Sequence, residues 1–140
     1  MCVIFHKPAG INLPCEKTIT SCINANRHGV GIMFPHKNRV YIRKGWFTRS
    51  DIYKGLQEVV KLTKKPIIDI PLVMHFRAAT SGKVSPENCH PFPNSHKVKW
   101  LTNPSMWWDS FGVAHNGIFM IKDGDGKLSD TQMFILKYIS

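Results

Sequence analysis

Apolar positions along the chain fall into short blocks separated by turn residues. Val3 to Phe5 opens with a β-branched residue and reads as a buried strand. Pro8 to Pro14 is a turn-rich connection. Ile19, Cys22 and Ile23 recur at spacings of three and four, which predicts a helix over Thr18 to Asn26 with Gly29 just beyond its end. Val30 to Phe34 and Val40 to Arg43 flank the turn Pro35-His36-Lys37-Asn38 and read as a hairpin. Ile52, Leu56, Val59 and Val60 mark one face of a second helix, with Ser50 as its N-cap; Lys61, Lys64 and Lys65 suit its C-terminal end, and Pro66 stops it. Leu72 to Phe76 reads as a buried strand. Thr80 to Pro93 lacks periodicity and holds three prolines, so it is a loop that needs specific contacts to hold it. Val98 to Leu101, Phe111 to Ala114 and Ile118 to Ile121 read as short extended runs. Ser129 and Gln132 form a capping-box pattern that opens the last helix.

These elements add up to an α+β fold, with antiparallel strands and helices packed outside them. The chain has 140 residues and no internal repeat or linker, so positions 1–140 read as one domain. Hydrophobic residues make up 43%, which excludes a disordered composition. No run approaches the roughly 18 apolar residues of a membrane span, and the start lacks the pattern of a secretory signal. Cys2, Cys15, Cys22 and Cys89 show neither zinc-type spacing nor a disulfide framework, so a reducing cytoplasm is the expected compartment. The net charge of +10 favours anionic partners. Nucleic acid is one such class, but no binding motif accompanies the charge.

Candidate chemistry begins at Cys2. Removal of Met1 would leave a thiol and a free α-amino group on one residue. That amine has an ordinary pKa of about 7.7–8.0, close enough to neutrality to act as a base. Nucleophile and base would then share a residue, as in N-terminal threonine enzymes. Taken alone, Met1 to Phe5 reads rather as a small apolar residue opening a buried strand.

Three further segments change that picture: His75-Phe76-Arg77-Ala78-Ala79-Thr80-Ser81-Gly82, Ala114-His115-Asn116-Gly117, and Ser129-Asp130-Thr131. Together with Cys2, their types and order resemble class II glutamine amidotransferases, the N-terminal-nucleophile glutaminase domains. Glu87 to Phe92 is similar to the loop after the arginine motif in these domains. The resemblance implies a four-layer αββα sandwich, in compact or truncated form, with no metal and no organic cofactor. It implies that Cys2 is the nucleophile and that Asn116 and Gly117 form the oxyanion hole. It assigns Arg77, Thr80 and Asp130 to substrate. Arg27 and Gly29 loosely resemble a family segment lining the nucleophile. Val3 departs from the family, which usually has glycine there, and Ser81 stands where some members have histidine.

The residue chemistry agrees on physical grounds. L-Glutamine presents a carboxylate, an ammonium and a neutral amide. Arg77 suits the carboxylate because a guanidinium grips two oxygens at once. Asp130 suits the ammonium. The Asn116 side-chain amide and the Gly117 N–H suit a developing oxyanion. The implied partners are L-glutamine and an acceptor or synthase subunit that takes the ammonia. Each segment also has a simpler meaning: a strand-end charge for Arg77, a hairpin turn for Asn116-Gly117, a first-turn helix acid for Asp130. His75 and His115 read as core histidines within apolar strands, and Asp123-Gly124-Asp125-Gly126 as a turn lacking the ligands of a calcium loop. Two alternatives stand beside the glutaminase reading: hydrolysis of another small amide, and an inactive basic module that binds nucleic acid.

Overall fold

A computed structural model describes residues 1–121 and 123–139. Its strands are β1 (Val3–Lys7), β2 (Val30–His36), β3 (Arg39–Trp46), β4 (Leu72–Phe76), β5 (Phe92–Pro93), β6 (Ser105–Trp108) and β7 (Gly112–Val113). Its helices are α1 (Glu16–Ala25), α2 (Arg49–Thr63), α3 (Val98–Leu101) and α4 (Asp130–Phe134), the last continued by a π-helical stretch over Ile135–Ile139. Five strands form an open antiparallel sheet in the order β1-β4-β2-β3-β6, and β5 pairs with β7 in a second, two-stranded sheet. The fold is therefore α+β.

Alternation along the strands gives the large sheet two apolar faces. Val30, Ile32, Phe34, Met74 and Phe76 form the main core with Ile19 and Ile23 of α1 and Ile52, Leu56 and Val59 of α2. Burying each such aliphatic side chain contributes about 1.5–3 kcal/mol, so tertiary packing holds α2 in place despite Gly55 in its middle. The opposite face carries Met33, Ile42, Lys44 and His75. The second sheet packs there: Gly112 lies against Met33 and Ile42, and the Phe92 ring lies 4.0 Å from Lys44 Nζ. A smaller cluster of Phe92, Leu101 and Ile135 joins this sheet to α3 and the C-terminal helix. Among the described residues, no helix is long and apolar enough to cross a membrane.

The helices over α1 and α2, the β2–β3 hairpin and the strand at Leu72–Phe76 recur where expected, most with shifted ends. Leu72–Phe76 has the expected bounds, while β3 runs three residues past Arg43 and β2 two past Phe34. Pro35 is tolerated inside β2 because β4 pairs only with Val30 to Met33, so no ladder partner is lost on that side. Lys37 and Asn38 make the turn with φ of 49° and 59°, the left-handed pair that a tight hairpin demands. The N-cap of α2 is Thr48, not Ser50: Asp51 N donates to Thr48 Oγ1 and Thr48 N donates back to Asp51 Oδ2. Val98–Leu101 is a helical turn and not a strand, with Leu101 fully buried and Val98 exposed one turn earlier. Ile118 to Ile121 forms no strand, and Met120 is almost fully exposed. Ser105–Trp108, which the pattern did not mark, is the edge strand on β3.

Candidate active site

Strand register brings Cys2 to the arginine segment. Val3 pairs with Phe76 at the end of β1, so the residue before Val3 meets the chain just after Phe76. There Ala78 N–H donates to Cys2 Sγ at 3.2 Å, and Ala78 O lies 3.5 Å from the same sulfur. The loop preceding β2 braces this stretch. Arg77 N donates to Gly29 O at 2.8 Å, His28 N donates to Arg77 O at 3.1 Å, and Ala79 N donates to His28 Nδ1 at 2.7 Å. The His28 ring therefore accepts at Nδ1 and carries its proton at Nε2. Gly29 has a φ of +113°, and a Cβ there would overlap Cys89 Sγ, so only glycine fits.

Arg77 is almost fully buried at the end of β4. Its Nη1 donates to Lys83 O at 2.8 Å and its Nη2 to Ser81 O at 2.7 Å. Two of its five N–H groups are thus committed to the loop it precedes. Burial lowers its pKa from the ordinary arginine value, against the opposing pull of Cys89, Cys2 and Asp130. Asp130 begins α4, behind the Ser129–Gln132 capping box. Its Oδ1 accepts from Ser81 Oγ at 3.1 Å and from Thr131 N at 2.8 Å, and its Oδ2 accepts from Phe119 N at 2.7 Å. Gly82 lets the Arg77 loop press onto this helix start: its φ is +70°, and a Cβ would lie 2.9 Å from Ser129 N.

Histidines form the floor. His75 Nε2 lies 3.0 Å from His115 O and so donates to it, which leaves His75 Nδ1 as a buried acceptor with no partner among the described residues. The His90 ring stacks on His75 at 4.1 Å, and Thr131 Oγ1 lies 3.1 Å from His90 Nε2 and 3.3 Å from His115 Nδ1. One hydroxyl proton serves two rings, so Thr131 donates to one and accepts from the other. Burial lowers the His75 pKa to about 4, aided by the Arg77 charge. Burial likewise pushes His90 well below its usual value. His75 is a core residue, while His115 is half-buried and faces the cleft.

Cys2, Arg77, Thr80, Gly117 and Asp130 line one narrow cleft with an interior free volume of about 20 Å³. Asn116 is exposed and does not line it. Arg27 is exposed too, its Nε donating to Asn24 O at 2.9 Å at the end of α1. Gly29 is buried behind the cleft wall, where it holds the Arg77 backbone. Sequence reasoning gave no role to His28, His90 or Thr131. His90 and Thr131 lie inside segments quoted for the resemblance, while His28 gave no signal, since its partner is distant in sequence. Among the described residues no cluster of His, Cys, Asp or Glu is placed to hold a metal ion. Asp123 Oδ2 accepts the Lys127 and Leu128 amides at 2.9 and 3.0 Å, which closes a turn. The cleft thus combines a thiol at its rim with a cation and an anion on its walls. Comparison with known protein families, characterised proteins and solved structures finds no match for this chain.

Proposed function

We propose that this chain is a glutaminase domain of the class II glutamine amidotransferase type, which releases ammonia from L-glutamine for an acceptor carried by another subunit. The observation that carries the reading is the convergence of Cys2, Arg77, Thr80, Gly117 and Asp130, drawn from four separate segments, on one cleft. The charges have capacity to spare. Asp130 accepts three hydrogen bonds where a carboxylate has about four acceptor sites, which leaves one for an ammonium. Among the described residues Arg77 donates from two of its N–H groups, which leaves three toward a carboxylate.

In this mechanism Met1 is removed first. Met1 is fully exposed, so its peptide bond is open to an aminopeptidase. The freed α-amine of Cys2 takes the thiol proton, and the sulfur attacks the side-chain amide carbon of glutamine. Gly117 N–H and the Asn116 side-chain amide, rotated in from the surface, stabilise the oxyanion. The amine then gives its proton to the departing nitrogen, and ammonia leaves. Water cleaves the glutamyl thioester, giving glutamate and a free thiol. The αββα layering follows the same reading: α1 and α2, the five-stranded sheet, the short β5–β7 sheet, then the C-terminal helix.

The test is incubation of mature protein with L-glutamine, with glutamate and ammonia measured against a Cys2→Ala control and intact mass recorded. Equimolar glutamate and ammonia from protein lacking Met1 support the proposal. No turnover by protein whose Met1 has been removed rejects it, and full activity with Met1 retained rejects the amine as base.

A further inference from the structure

We propose that Ser81 is a positioning residue that sets the spacing between the two charges recognising the substrate; this rests on the glutamine reading above. Ser81 bonds both. Its carbonyl oxygen accepts Arg77 Nη2 at 2.7 Å, which points the guanidinium along the loop. Its hydroxyl donates to Asp130 Oδ1 at 3.1 Å and accepts from Asp130 N at 3.0 Å, a two-bond clamp on one residue. Arg77 and Asp130 belong to different elements, the end of β4 and the first turn of α4. Among the described residues no hydrogen bond or ion pair joins Arg77 to Asp130 directly; Asn88 Nδ2, donating to Lys83 O and Lys127 O, ties the same two segments, but only Ser81 bonds both charged residues.

The bridge also has the right rigidity. Gly82 seats the loop against Ser129 N, and Lys83 O takes the second guanidinium bond. Arg77 and Asp130 are 2% and 7% exposed, so neither side chain has room to find a new rotamer cheaply. An α-amino acid carries its carboxylate and ammonium on a single carbon, which demands a fixed separation between the groups that bind them. Ser81 meets that demand by acting on Asp130 through its hydroxyl and on Arg77 through its backbone. A side-chain replacement therefore removes only the Asp130 half of the bridge.

That asymmetry defines the test. Mature parent, Ser81→Ala, Ser81→Thr and Asp130→Asn are assayed with L-glutamine and with glutaramic acid, the same molecule without its α-amino group. Ser81→Ala is expected to raise KM for glutamine roughly tenfold, the scale of one hydrogen bond to a charged group, with kcat within about twofold of the parent. Its kcat/KM for glutaramic acid should match the parent, because no ammonium is present to misplace. Ser81→Thr keeps the hydroxyl and should restore glutamine use, and Ser81→Ala should add little in the Asp130→Asn background. Equal loss on both substrates would mark Ser81 as merely structural and overturn the positioning role. An unchanged KM for glutamine would overturn it as well. A parent inactive on both compounds overturns the glutamine reading itself, and this inference with it.

Discussion

Lys44 offers a sharp physical test of the second sheet's packing. The side chain is 2% exposed, with Nζ donating to Leu101 O at 2.8 Å and Glu87 O at 3.1 Å and lying 4.0 Å from the Phe92 ring. No carboxylate forms an ion pair with it among the described residues. Burial lowers its pKa from 10.5 to about 7, and the nearby Cys89 and Glu87 only partly oppose this. In the unfolded chain the lysine stays protonated to well above pH 9. Between pH 7 and pH 9 the unfolded state therefore holds the extra proton, and stability rises with pH. The gain from this one group over that interval comes to roughly 2 kcal/mol, from about 1.4 kcal/mol per pH unit reduced by partial protonation near pH 7. Cys89 acts in the opposite sense: burial raises its thiol to about 11, so it lowers stability as the unfolded thiol ionises, from about pH 8 upward, and both the parent and Lys44→Met carry it. Urea unfolding of parent and Lys44→Met at pH 7, 8 and 9 isolates the lysine by difference. The parent should gain on Lys44→Met by roughly 2 kcal/mol across the series. Parallel pH profiles for the two proteins would refute a deprotonating Lys44.

The acid side should show the mirror effect. His75 and His90 are held neutral when folded, so stability should fall as pH drops from 7 to 5, by roughly 2 kcal/mol for His75 alone; a urea midpoint that is flat over this range contradicts it. Thr48→Ala removes the side-chain half of the α2 capping box and should cost about 1 kcal/mol in urea unfolding; an unchanged midpoint would mean the cap is not needed. Asn116→Ala should lower kcat for glutamine by about 10²–10³ if its amide joins Gly117 at the oxyanion; an unchanged kcat would leave Asn116 as the turn residue its exposure resembles.

The helices and the central strands were legible because their signals are local. The 3–4 spacing of Ile19, Cys22 and Ile23 and the run Leu72 to Phe76 each carry their own period. The segment 98–101 misled because four residues are too few to separate a period of 3.6 from one of 2. Strand β6 escaped because its apolar positions are tryptophans that pack on rings and chains far away, such as Trp107 on Tyr41. Within the candidate site, the charged and thiol residues were legible by type. The parts that hold them were not: His28 binds Ala79 across 51 residues and His90 meets Thr131 across 41, and nothing local encodes either pairing.

Those long separations bear on how the molecule comes into being. Cys2 is made well before the amide that orients its sulfur, which lies 76 residues later, and the Ser81–Asp130 clamp spans a further 49. The entropy of closing such loops grows slowly with length, but contacts so distant form late and slow the folding of small domains. The Cys2 thiol therefore spends much of synthesis without the cleft around it. Both charges of the cleft come together only after α4 has docked on the rest of the chain.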